Sequence, residues 1–170
     1  MIFLANLIHL IRHLFRIGGS TTEDTVQSNF EFFNSLTGKL EIELTEPAEP
    51  YANMANLAAK PSAELVDVWF QPEVFEENEQ KFRDLTETEL QLVIFRESRI
   101  RLRGLDETVV EHKAPNGRSF TVKEMFAAIE ETERRTRGNS EWLGGIDVHH
   151  RFFEGIYQDE NGDWEISWGS

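Results

Sequence analysis

A chain of 170 residues with 39% hydrophobic and 11% aromatic content is long enough to close one packed core without a cross-link. It holds no cysteine, which excludes thiol catalysis, disulfide scaffolds and cysteine-based zinc sites and fits a cytoplasmic setting. A formal net charge of −14 argues against sequence-independent binding to nucleic acid, whose phosphates such a field repels, and favours a basic protein partner.

The charge is unevenly spread. Residues 1–19 carry Arg12 and Arg16 with no acid, and residues 20–95 hold sixteen acids against four bases. Residues 96–137 hold ten bases against eight acids, and residues 138–170 hold seven acids against Arg151.

The chain opens on an apolar run from Ile2 to Ile17, broken by Asn6, His9, Arg12, His13 and Arg16. At about 100° per residue those five share one side of a helix and leave a broad apolar face that includes Phe3, Leu7, Leu10, Leu14 and Phe15. The run is too short and too charged for a membrane span. Three readings stay open: a core helix, a helix that docks into a protein partner through those five residues, and a helix lying on a membrane surface. His9 and His13 stand one turn apart with no acidic ligand near in sequence, so they read as a solvated pair and no metal is expected. Gly18-Gly19 then stops the helix, and residues 20–29 read as a polar linker.

Lys39 to Leu44 alternates, with Leu40, Ile42 and Leu44 on one side, and predicts a half-buried strand. Residues 45–63 contain three prolines and read as a long loop with one helical turn near Met54 to Ala58. Glu64 to Phe70 predicts a strand stopped by Gln71-Pro72, and Glu73 to Leu85 a short acidic helix packing through Val74, Phe75 and Phe82. Glu89 to Phe95 is apolar on both sides and predicts a strand in the middle of a covered sheet. Arg99 to Arg103 predicts a strand with Ile100 and Leu102 inward, ended by Gly104.

Val109 to Lys113 and Ser119 to Val122 flank Asn116-Gly117 and predict a hairpin. Thr121 with Glu124 forms a capping box for a helix over 122–137 that buries Val122, Met125, Phe126 and Ile129. Glu130–Arg134, Glu131–Arg135 and Glu133–Arg137 are three i,i+4 pairs along it. A last hairpin turns at Asn161-Gly162. Taken as a two-residue loop, it sets Gly155 opposite Trp168 and puts Phe153, Tyr157, Trp164, Ile166 and Trp168 on one face.

Three groups could carry chemistry. In an extended strand Asp147, His149 and Arg151 share a side, as do His150 and Glu154, and an aspartate two residues from a histidine can orient its imidazole as a general base. Arg99, Arg101 and Arg103 form a row that can clamp an anion or pair with acids such as Glu41 and Glu43. Trp142, Trp164 and Trp168 can wall a pocket or build the core. No nucleophile motif, metal motif or cofactor motif is present.

The expected architecture is α+β: an antiparallel sheet of about six strands, one long helix at about 122–137 packed on it, and a separate amphipathic helix over 1–19 ahead of a single acidic domain over 20–170. The expected function is a non-catalytic protein-binding module, an inhibitor, immunity-type or assembly partner, that works through its acidic surface and its first helix. The alternative is a small-molecule-binding protein or small enzyme whose aromatic pocket uses Asp147, His149 and His150.

Overall fold

The computed structural model describes residues 22–45, 64–142 and 145–170. The expected helix over 1–19, with Phe3, Leu7, Leu10, Leu14 and Phe15, and the loop over 46–63 lie outside the described residues.

The fold is mixed α+β. Its elements are α1 (Thr22–Asn34), β1 (Thr37–Leu44), β2 (Leu65–Glu76), β3 (Lys81–Asp84), α2 (Glu87–Leu90), β4 (Val93–Phe95), β5 (Arg99–Arg103) and β6 (Val109–Lys113). They continue with β7 (Phe120–Thr121), α3 (Val122–Thr136), one 3-10 turn (Arg137–Asn139), β8 (Glu141–Trp142), β9 (Gly145–Ile146), β10 (Phe152–Gln158) and β11 (Trp164–Gly169). A seven-stranded sheet runs in the order β3-β2-β1-β10-β11-β5-β6, antiparallel except where β11 lies parallel to β5. The pairs β4–β7 and β8–β9 stand apart from it.

One face of the sheet carries the core. Leu40, Val68, Phe70, Ile100, Leu102, Phe153, Ile156, Ile166 and Trp168 point to it from the strands. Phe33 of α1 and Met125, Phe126 and Ile129 of α3 meet them from above, and Phe33, Phe70, Phe126 and Phe153 pack ring against ring at 5.0–6.0 Å. Helix α3 starts where its capping box predicts: the Thr121 hydroxyl accepts from the Glu124 amide, and the Glu124 carboxylate accepts from the Thr121 amide.

Several expectations are corrected. Residues 22–34 form a helix, not a linker, because Val26, Phe30 and Phe33 recur at helical spacing, and Phe30 and Phe33 pack into the core. Strand β2 does not stop at Pro72 but runs on to Glu76 and turns back into β3, so the predicted acidic helix is a hairpin with Phe75 opposite Phe82. Pro72 is tolerated because the even-numbered amides of β2 point away from β1, and β3 ends at Asp84, the partner of Glu73, leaving nothing for that missing N–H to bond. On the same open edge the side chains of α3 substitute for a strand: the Phe70 amide donates to Glu130 Oε1, and Arg134 Nη2 donates to Val68 O. Glu130 is therefore not paired with Arg134, which bridges Asp67 and Glu131 instead.

Residues 89–95 are not one central strand. Thr86 and Glu89 cap the one-turn helix α2, and only Val93–Phe95 is extended, paired with β7. The Asn116-Gly117 turn forms, but its two flanks part: β6 pairs with β5, and β7 with β4. The last hairpin has a five-residue loop, 159–163, because Asp159 accepts from the amides of Asn161 and Asp163. A bulge at Glu154-Gly155 then moves the register, so Trp168 faces Phe153, and Ile156 instead of Tyr157 turns inward. Gly155 sits at φ +113°, and the amide group of Asn34 lies where a side chain would go. Asn34 bonds both the N–H and the C=O of Ile156, tying the end of α1 to the bulge.

Candidate functional site

Helix α3 carries a fully buried ion pair near its end. Arg137 Nε stands 2.7 Å from Glu133 Oε2 without the alignment of a hydrogen bond, and Trp168 Nε1 donates to Glu133 Oε1 at 2.9 Å. Burial pushes the Glu133 carboxyl above its ordinary pKa, and Arg137 and Trp168 pull it down without cancelling that effect. Arg137 also lies 5.4 Å from the Trp168 ring, and its Nη1 donates to His150 O at 2.9 Å. The pair thus pins the segment that carries Asp147 and His150.

That segment turns instead of running extended. Asp147 Oδ1 accepts from the amides of His149 and His150 at 2.8 and 3.1 Å, and Oδ2 lies 2.6 Å from His150 Nδ1. The predicted pairing of Asp147 with His149 is replaced by Asp147 with His150, three residues on, while His149 is exposed. Burial acts to raise the Asp147 carboxyl, but the His150 ring and the two amides outweigh it, and the group lies below its usual value. A carboxylate only accepts, so His150 Nδ1 carries the proton, and Nε2 has no partner among the described residues.

His150 lines a cleft of about 390 Å³ with Leu105, Asp106, Glu107, Ser140, Trp142 and Asp147 among its neighbours. The Trp142 ring stands at 89° to the His150 ring, 4.9 Å between centroids, and is 46% exposed. The remaining candidates lie elsewhere. Glu154 is on the far face of the sheet beside Ser167, and Arg151 contributes its backbone, bonded to Leu40 and Gly169. Trp164 packs on Phe30 and Phe95, and Trp168 on Phe70 and Phe153, so two of the three tryptophans are core.

The arginine row is paired within the chain, but not with Glu41 or Glu43. Arg99 meets Glu111, Arg101 meets Asp163, and Arg103 meets Asp159, Asp163 and Glu107. The bonds of Arg101 and Arg103 to Asp159 and Asp163 clasp the β10–β11 loop to the end of β5.

Sequence reasoning missed Asp106 and Glu107. They sit in the β5–β6 turn, where Asp106 accepts from the Thr108 amide and from Asn139 Nδ2, and Glu107 adopts φ +68°. The turn is legible in Gly104-Leu105-Asp106, but its approach to residues 139–150 comes only from the fold. Ser140, the hydroxyl beside the dyad, donates to Arg137 O. Among the described residues no group of three or more metal-binding side chains comes together.

A second feature is the sheet face away from the helices. Trp69, Phe75, Phe82, Phe152 and Tyr157 project from it and are 41–55% exposed, each next in sequence to an inward-facing or strand-paired neighbour. Glu41, Glu43, Glu73, Glu154 and Glu165 lie on the same face. No helix among the described residues is long and apolar enough to cross a membrane.

Compared with protein-family models, curated proteins and solved structures, the chain matches none.

Proposed function

We propose that this chain is a non-catalytic, acidic protein-binding module whose contact surface is the sheet face that no helix among the described residues covers, with the apolar segment over 2–17 as a second contact. The observation that carries the reading is the set of five half-exposed aromatic side chains on that face. Tryptophan and tyrosine are the residues that dominate protein interfaces, and a face left open by both core helices is where a partner fits. The partner is a protein with an apolar patch rimmed by lysine and arginine. Its charge follows from the surface it meets: β1, β2 and β3 all fall in the stretch that holds sixteen acids against four bases. An inhibitor, an immunity-type protein and an assembly subunit all use such a surface.

The test is affinity purification with the full chain at low and high salt, in parallel with Trp69→Ser/Phe152→Ser. A partner with a basic surface that is retained at low salt, released as salt rises and lost by the double variant supports the reading. A partner held equally by both proteins places the interface elsewhere and rejects it.

A second reading, acid–base chemistry at Asp147 and His150, draws on their 2.6 Å contact. It has lost His149 and Glu154, and the neighbouring Ser140 hydroxyl is spent on a backbone carbonyl. Binding at the cleft is the stronger form of it.

A further inference from the structure

We infer that Asn161, in the β10–β11 loop, is a site of spontaneous covalent modification: its side-chain amide is lost in the folded protein, leaving aspartate or isoaspartate, while Asn116, in the turn after β6, is protected. This goes beyond the sheet-face reading and stands or falls separately from it.

An asparagine followed by glycine is especially labile, because the glycine nitrogen has no neighbouring side chain to shield it. That nitrogen attacks the asparagine Cγ and gives up its proton, the carboxamide nitrogen leaves as ammonia, and a succinimide ring closes. Water then opens the ring at either carbonyl, yielding aspartate or an isoaspartate whose main chain runs through Cβ. Only water is consumed, and nothing is oxidised or reduced.

The chain holds two such pairs, Asn116-Gly117 and Asn161-Gly162, and their backbones match. The Gly117 amide donates to Ala114 O at 2.8 Å and the Gly162 amide to Asp159 O at 3.1 Å. Both glycines have positive φ, +71° and +83°, and both asparagines are exposed. The attacking nitrogen is thus held alike in the two turns, and the difference lies in the amide that it must reach.

Asn116 Oδ1 accepts from the Arg118 and Ser119 amides at 2.8 and 2.9 Å, and its Nδ2 donates to Ser119 Oγ at 2.9 Å. Those three bonds resist the rotation that brings Cγ over the glycine nitrogen. Asn161 Oδ1 accepts no hydrogen bond among the described residues, and Nδ2 reaches only Asp159 Oδ2, at a marginal 3.5 Å. That oxygen is already taken by Arg103 at 2.6 Å, so it holds the amide loosely. The modification also falls on the clasp between this loop and β5. It sets a new carboxylate beside Asp159, and isoaspartate adds an atom to the main chain between the Asn161 and Asp163 amides that Asp159 Oδ1 binds.

The test incubates the full folded chain at mildly alkaline pH and maps the two peptides by mass spectrometry over time, with a parallel incubation in urea. In the folded chain Asn161 converts about tenfold faster than Asn116, since each bond retained on Asn116 slows its loss a few fold. In urea the two rates converge, because both asparagines precede glycine and the folded turns are gone. Ser119→Ala removes the bond to Asn116 Nδ2 and speeds loss at Asn116 a few fold, while an unchanged rate at Asn161 reports an intact fold. Equal rates in the folded chain, a preference that persists in urea, or an Asn116 rate untouched by Ser119→Ala overturns the inference.

Discussion

Phe152 and Phe153 are neighbours on β10, yet Phe153 is 3% exposed and packed against Phe33 and Phe126, whereas Phe152 is 44% exposed on the opposite face. The same contrast runs along β2, where buried Val68 and Phe70 flank exposed Trp69. Both faces hold aromatic side chains, but among the described residues only one has helices over it. An aromatic ring contributes to folding through the water it sheds, so the inner set stabilises the domain while the outer set retains its apolar surface for contact with another molecule.

The sharpest test of that contrast takes the two neighbours in turn. Phe153→Ala removes a ring from a close-packed cluster and should cost about 3–5 kcal/mol, read as a shift in the urea midpoint. Phe152→Ala should stay within about 0.5 kcal/mol. Comparable losses at the two positions would mean that the outer face is covered in the folded chain, and the reading of it as an open contact surface would fail.

The next effect concerns the buried charge beneath the inner face. Arg137→Met leaves Glu133 without its cation at a site with no exposure, and should cost about 3–5 kcal/mol at neutral pH. Glu133 has a folded-state pKa raised above its unfolded value, and losing Arg137 raises it further. A raised group contributes most below the unfolded carboxylate value of about 4.3, where it is protonated in both states, and that contribution disappears as pH rises through the folded value. The deficit of Arg137→Met should therefore shrink on acidification, and Glu133→Gln/Arg137→Met should recover much of the loss. A deficit independent of pH would show that packing, and not the stranded carboxylate, sets the cost.

These two regions also differ in how far sequence reveals them. The inner face was legible where a local rule fixes geometry: the Thr121–Glu124 box and the four apolar positions of α3 lie where their spacing puts them. It was illegible where a side chain, not a spacing, sets the geometry. Asn161-Gly162 announces a turn, but Asp159 lengthens it to five residues, and the bulge at Gly155 reverses which of Ile156 and Tyr157 is buried. Pro72 reads as a strand end unless one knows that its nitrogen faces an open edge. Helix α1 was within reach, since Val26, Phe30 and Phe33 keep helical spacing, but its polar first half hides that pattern when read without the second. At the cleft, the partner of Asp147 depends on whether 147–150 extends or turns, and Asp106 arrives from more than thirty residues away.

The smallest expected effect separates a helix that makes the inner face from one that does not. Thr121 and Thr86 occupy the same capping box, each accepting from the amide of a glutamate three residues on. Helix α3 buries eight residues behind its cap, so fraying its first turn loosens Val122 and Met125 along with the lost hydrogen bond. Thr121→Ala should cost about 1 kcal/mol. Helix α2 is four residues long and buries none of them, and its Glu89 is also gripped by Arg83 through two bonds of 2.7 and 2.9 Å. Thr86→Ala should therefore fall below about 0.5 kcal/mol, because water can replace the cap and the ion pair keeps the turn closed. Thermal unfolding of the two variants side by side decides it: equal shifts would mean that the motif itself carries the energy, and unequal shifts that the cap draws its weight from the face behind it.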